Sequence, residues 1–148
     1  MTTQELKLLA TPEKGEVSAL LMRPEGATHL LVLGHGAGAD MRSASMQNIA
    51  EALATRGIAT LRYNFPFKEN DSPKTATATV RAAVAEARRL EPNMMLLAGG
   101  HSFGGRMTTT AQSQLPLDGV AGLVLFSFPL HAPNQPGNSR AEHLGAIN

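Results

Sequence analysis

The sequence predicts an α/β domain: a mostly parallel sheet with helices on both faces, opened by an antiparallel hairpin. Three observations carry this. After the hairpin, strand-like and helix-like segments alternate in the order strand, helix, strand, helix, strand, helix, strand. Such alternation makes each helix a crossover between parallel strands. Two glycine-rich stretches, "GHGAGAD" and "GGHSFGG", each follow an apolar strand-like run. Both therefore belong at the carboxyl ends of strands, where sites in such sheets lie.

The elements follow from local pattern. Gln4 to Ala10 and Glu16 to Arg23 read as two strands, with Pro12 and Gly15 punctuating the turn between them. His29 to Leu33 is a third strand. Ser43 to Arg56 is a helix, because Met46, Ile49, Ala50, Leu53 and Ala54 fall on one face, and Gly57 ends it. Ile58 to Tyr63 is a strand, and Asn64 to Lys74 is a polar loop holding Pro66 and Pro73. A second helix carries Val80, Ala83, Val84, Ala87 and Leu90 on one stripe and stops before Pro92. Met94 to Ala98 is a buried-type strand, Gly104 to Gln114 a third helix, and Gly119 to Phe128 the last strand. The tail, Pro129 to Asn148, reads as loop with one short helix. No linker or repeat divides the chain, so residues 1–148 are expected to form a single domain.

Composition narrows the function. Hydrophobic residues make up 43% and charged residues 17% of the chain, which is a globular balance. A formal net charge of +1 gives no electrostatic case for nucleic acid or an anionic membrane. Arg88-Arg89 reads as a solvated helix face. The chain has no cysteine, which excludes thiolate catalysis, disulfides and cysteine-based zinc sites. Its five histidines show no metal-binding spacing, so neither a metal nor another cofactor is expected. The first residues lack the apolar core of a secretory signal, and no apolar run approaches the roughly 18 residues of a membrane span. A cytoplasmic protein is the expectation.

The chemistry is in the two glycine loops. Gly100-His101-Ser102-Phe103-Gly104 matches G-x-S-x-G between a strand and a helix. Such a turn, a nucleophile elbow, needs small residues at Gly100 and Gly104, since a Cβ there would block the helix from packing on the strand. It exposes the Ser102 hydroxyl at a helix N-terminus, where orphan N–H groups favour developing negative charge. The Phe103 N–H is one natural donor to an oxyanion. The loop His35-Gly36-Ala37-Gly38-Ala39-Asp40 follows the third strand and offers the Ala37 N–H as the second. Gly36 and Gly38 let its backbone turn inward, and His35 reads as a loop-orienting hydrogen-bonding group.

With these two loops in this order, the chain resembles the α/β-hydrolase superfamily. "LRYNFPF" (Leu61 to Phe67) and "FSFPLHAP" (Phe126 to Pro133) look like the small bacterial dienelactone-hydrolase-like branch, including its testis-expressed hydrolase-like relatives. The resemblance spans essentially the whole chain. It implies a serine hydrolase acting on an ester or related small acyl substrate, with Ser102 as nucleophile and the Ala37 and Phe103 N–H groups as oxyanion hole. It also implies a triad in the chain order serine, acid, histidine. The family's acid and histidine follow strands that would begin where this chain ends, so both are expected to be absent and the domain to lack its last strands. After Ser102 the only acids are Asp118 and Glu142, and the only histidines His131 and His143. Asp118 precedes its strand and so belongs at the wrong end of the sheet, and His101 is expected to point into the fold. His131 follows the last strand on the correct face and is a candidate surrogate base. Without triad members, a residual acceleration of ~10³–10⁴-fold would remain from the oxyanion hole and binding.

Two other readings compete. One is a non-catalytic relative of the hydrolases that acts in assembly or binding. The other is a dinucleotide-binding domain, because Gly34 to Ala39 also fits G-x-G-x-x-A. The strand after it ends in Arg62-Tyr63-Asn64 without a carboxylate, although Arg62 could suit a 2′-phosphate. A P-loop reading of Gly100 to Met107 fails, since arginine and methionine replace its lysine and hydroxyl.

The segment Val120 to Phe128 is apolar on both faces, the pattern of an interior parallel strand. In the inferred order it becomes an edge, and an exposed apolar edge pairs with something. Self-association through this strand at micromolar concentration, or a missing C-terminal piece, is therefore expected. Light scattering checks this, and a strictly monomeric species would overturn it.

Overall fold

A computed structural model of the chain describes residues 1–66, 72–127 and Leu144. Strands β1 (Thr2–Thr11) and β2 (Gly15–Arg23) form the antiparallel hairpin. Then follow β3 (His29–Gly34), α1 (Ala44–Ala54), β4 (Ile58–Tyr63), α2 (Pro73–Leu90), β5 (Met95–His101), α3 (Phe103–Gln114) and β6 (Val120–Phe126). The sheet order is β1-β2-β4-β3-β5-β6. The hairpin joins through an antiparallel β2–β4 pair, and β4, β3, β5 and β6 run parallel. Every parallel strand therefore delivers its carboxyl end to one rim.

Side-chain alternation decides what covers each face. Leu30 and Val32 of β3 and Ala59 and Leu61 of β4 point to the face where α2 and α3 lie, packing with Val80, Ala83, Val84, Ala87, Met107 and Ala111. Leu31 and Leu33 point the other way, onto Met46 of α1. The helix stripes read from the sequence are these buried surfaces.

Most element ends shift by one or two residues from expectation, and two differences have a visible physical reason. Pro73, read as part of a loop, is the first residue of α2, and Ser72 is its cap, accepting from the Thr75 N–H at 3.4 Å. Proline at a helix start loses no hydrogen bond, because its missing N–H would be unpaired there anyway. Strand β5 continues three residues past Ala98, through Gly99, Gly100 and His101, which pair with Val124, Leu125 and Phe126. Glycine is a weak strand former, but here it is required by space. A Cβ on Gly99 would meet the Val124 carbonyl oxygen at 1.7 Å.

The two edges of the described sheet differ. β1 carries Glu5 and Lys7 and ends in a register shift between Leu9 and Thr11, all devices that discourage further pairing. β6 carries no charge and no proline, and Leu125 is exposed on it. Among the described residues no helix is long and apolar enough to cross a membrane.

The tightest packing lies where α3 begins. A Cβ on Gly104 would lie 2.2 Å from the Gly34 carbonyl oxygen and 2.3 Å from its carbon, and one on Gly100 would lie 2.5 Å from the same oxygen. These are main-chain contacts that no rotamer change relieves. Gly104→Ala is expected to cost about 3 kcal/mol or more, at the upper end of overpacking. Gly122→Ala, whose Cβ would meet only Leu97 Cδ2 at 3.5 Å, is expected to be near neutral. Urea unfolding of the two variants checks the contrast, and equal stabilities would refute it.

Candidate active site

Ser102 is the single residue between β5 and α3. Its backbone lies at φ 51°, ψ −113°, a region that Cβ crowding makes costly for any residue but glycine. The conformation is held at both ends. The Ser102 N–H donates to the Phe126 carbonyl at 2.8 Å, and its own carbonyl accepts from the Arg106 N–H at 3.0 Å. The side chain makes no capping bond to the helix. The first N–H groups of α3, from Phe103 onward, have no acceptor within the helix and carry the positive end of its dipole.

The second loop comes from the end of β3. His35 is 1% exposed. Its Nε2 accepts from the Phe65 N–H at 3.0 Å, and its Nδ1 lies 2.7 Å from the Gly36 carbonyl oxygen. A backbone N–H only donates and a carbonyl only accepts. The ring is therefore neutral, with its proton on Nδ1. Ala39 N–H also donates to the Gly36 carbonyl, at 3.2 Å. The described chain has no cis peptide. In a trans peptide C=O and N–H point in opposite directions, so a Gly36 carbonyl drawn toward His35 turns the Ala37 N–H away from it. Ala37 is exposed. Gly38, at φ +73°, closes the turn in a conformation that suits glycine.

The loops meet. A methyl placed on Gly36 would come 3.4 Å from His101 Nδ1 and 3.8 Å from Ser102 Cβ. Phe65 joins the same cluster from the exit of β4, with edge-to-face contacts to His35, Tyr63 and Phe103 at 5.0, 5.2 and 5.3 Å between ring centroids. Ser102, Phe103, Gly36, Ala37 and His35 thus share one rim, with Gly34, Gly100 and Gly104 forming the floor.

Other expected residues lie elsewhere. Asp118 is at the opposite end of the sheet, ion-paired with Arg88 at 2.6 Å. His29 is at the amino end of β3, where its Nδ1 is 2.8 Å from the Thr28 hydroxyl. His101 is half-buried, and a methyl on Gly36 would lie 3.4 Å from its Nδ1. His131, Glu142 and His143 lie outside the described residues. The dinucleotide reading loses its geometry. Its helix should start within the glycine loop, but α1 starts at Ala44 after the Ser43 cap. Arg62, which could have met a 2′-phosphate, instead points inward to the Met41 carbonyl and Gln47. Sequence reasoning gave Asn64 and Phe65 no part in the site, and gave Arg62 one only in the dinucleotide reading. A charged residue inside the apolar strand Ile58–Tyr63 was the available signal.

A profile described as alpha/beta hydrolase domain matches residues 27–148. The fold is shared with solved structures at 20% sequence identity. An alpha-beta serine hydrolase homologue from Coxiella burnetii superposes with a TM-score of 0.74, over 90% of this chain and 66% of that one. An a/b serine hydrolase without lid from Xanthomonas campestris gives 0.73, over 94% and 66%. A dienelactone hydrolase from Anabaena variabilis gives 0.70, over 84% and 63%. This chain thus spans less than two thirds of the length of each.

Burial holds the His35 pKa below its ordinary 6.5, against the opposing pull of its bond to Gly36 and of Asp40. Below pH 6.5 the unfolded ring takes up a proton that the folded ring refuses. Unfolding then binds a proton, and stability falls as pH falls, by at most about 1.4 kcal/mol per pH unit. At pH 7 and above this stabilisation is fully present. Chemical denaturation from pH 7.5 down to 5 is expected to show the decline, and His35→Gln to flatten it. A decline of the same slope in the variant would refute the assignment to His35.

Proposed function

We propose, from the premise that this chain belongs to the alpha/beta hydrolase domain family, that it is a serine hydrolase of small esters or related acyl compounds. In this reading Ser102 is the nucleophile. Its hydroxyl attacks the acyl carbonyl, and the tetrahedral oxyanion is received by the Phe103 N–H of the α3 terminus and the Ala37 N–H of the β3 loop. The observation that carries the reading is the backbone of Ser102. A non-glycine residue is held at φ 51° between a strand and a helix, at a cost of order 1–3 kcal/mol. Glycine would relieve that strain, so the position has a use for the hydroxyl.

The proton acceptor is a separate question. Of the described histidines, His35 has both nitrogens in bonds to Gly36 and Phe65, His29 is at the far end of its strand, and His101, next to Ser102 in the chain, is half-buried with its Nδ1 against Gly36. His131 is the candidate base within this chain. Self-association is part of the proposal too. Among the described residues β6 is an edge strand with Leu125 exposed on it, which favours a role in assembly as the second reading.

Fluorophosphonate labelling together with p-nitrophenyl acetate turnover tests the first reading. Ser102→Ala is expected to abolish both. Ser102→Gly is expected to abolish both while raising stability by roughly 1 kcal/mol, through relief of strain less the entropy cost of glycine. A wild-type chain that takes no label, or a Ser102→Ala chain labelled as fast as wild type, would overturn the assignment.

A further inference from the structure

The loop that carries Ala37 is held at its far end by a second set of contacts. Met41, 2% exposed, is gripped through both halves of its main chain. Its N–H donates to Asn64 Oδ1 at 2.9 Å, and its carbonyl accepts from Arg62 Nη1 at 3.1 Å. The same Nη1 donates to Gln47 Oε1 at 2.7 Å, which ties the grip to α1. Asn64 is itself anchored, its N–H donating to the Ser18 carbonyl of β2 at 3.0 Å. At the near end, Phe65 N–H holds His35.

Three residues at the exit of β4, Arg62, Asn64 and Phe65, thus meet the loop at both ends. Between those ends, two contacts brace the loop from within: Ala39 N–H to the Gly36 carbonyl at 3.2 Å, and Asp40 N–H to Ser43 Oγ at 2.9 Å. The cost of burying Arg62 shows what it is for. Its side chain is 1% exposed and its Nε has no hydrogen-bond partner. Burying a guanidinium is expensive, and a packed apolar side chain generally serves stability as well. What an apolar side chain cannot do is fix the direction of a peptide carbonyl.

We infer that Asn64 and Arg62 are positioning residues, which set the orientation of the Gly36–Asp40 loop and thereby of the Ala37 N–H. The clamp is a feature of the fold. Its consequence for acyl transfer rests on the function proposed above.

Two readouts separate these. In Asn64→Leu, hydrogen exchange is expected to rise about tenfold for amides of residues 36–42, the loss of one hydrogen bond's worth of local protection. Exchange in β5 and α2 should be unchanged. The maximal fluorophosphonate labelling rate should fall about tenfold at unchanged half-saturating concentration. Asn64→Asp, which keeps the acceptor for Met41 N–H, should recover both. Exchange that rises uniformly across β3, β5 and α2 in Asn64→Leu, or an equal defect in Asn64→Asp, would overturn the clamp. Loop exchange that rises while labelling stays at the wild-type rate would overturn its link to Ala37. If the wild-type chain takes no label, the proposed function fails by itself. Exchange confined to residues 36–42 then still supports the clamp, and uniform exchange still overturns it.

Discussion

The site depends on three main-chain segments approaching with no side chain between them. The first turn of α3 lies directly on the ends of β3 and β5, at Gly34, Gly100 and Gly104. Because Gly104 has no Cβ, the helix starts immediately after the strand, with one residue of connection. That residue must then reverse the chain within its own φ and ψ, which puts Ser102 in the left-handed half of the map. The strain at Ser102 and the close backbone contact at Gly34 are therefore one feature seen at two places. Thr108 reinforces it from within α3, its hydroxyl lying within hydrogen-bonding reach of both the Gly99 and Gly104 carbonyls, at 3.2 and 2.8 Å. Strain of this kind persists only where the surroundings over-determine the backbone, and here the surroundings are backbone on three sides.

The neighbouring loop is held differently, by polar side chains working in a dry setting. His35 can join Gly36 to Phe65 only as a neutral ring, and burial keeps it neutral. Protonation would set an Nε2–H against the Phe65 N–H, donor facing donor, with neither able to reach water. The same burial that lowers the pKa thus raises the cost of breaking the contact. Arg62 works by the same logic with opposite charge economics. Burial disfavours its cation, as does Arg42, and Glu51 offsets part of this. One site wall is built from glycine and costs strain; the other is built from buried polar groups and costs desolvation.

This difference explains what the sequence makes legible. The elbow is local: glycines at fixed offsets around Ser102, an apolar strand before it and a helix after. Such patterns are one-dimensional, and so are the helical stripes of α1 and α2, so both can be read directly. The extent of β5 is harder to read, because Gly99 is a poor strand former whose place is fixed by Val124, on another strand. The clamp was barely legible. Met41 pairs with Asn64 across 23 residues, Arg62 with Met41 across 21, and Phe65 with His35 across 30. No spacing rule encodes these distances, which follow from β3 and β4 lying side by side although α1 separates them in the chain. The charge of Arg62 within an apolar strand was the one visible trace, and composition alone could not say whether it faced a ligand or the protein.

On the reading proposed above, the chemistry also divides between fold and side chain. The oxyanion donors are backbone N–H groups whose directions are set by the α3 start and the Gly36 peptide. Short of proline, which has no N–H, a single substitution cannot delete them and can only misdirect them. A proton acceptor is a side chain, present or absent at one position. In triad enzymes the part that survives removal of the side-chain machinery is ~10³–10⁴-fold, about 4–5.5 kcal/mol of barrier. On that reading, the remainder is the part that Gly34, Gly104, His35 and the proposed Met41 clamp would hold in place. A donor is useful only where the charge develops, and a misplacement on the order of 1 Å can cost about a hundredfold. Rigid anchoring of a peptide that touches no substrate is therefore as much a part of the catalytic geometry as the serine it serves.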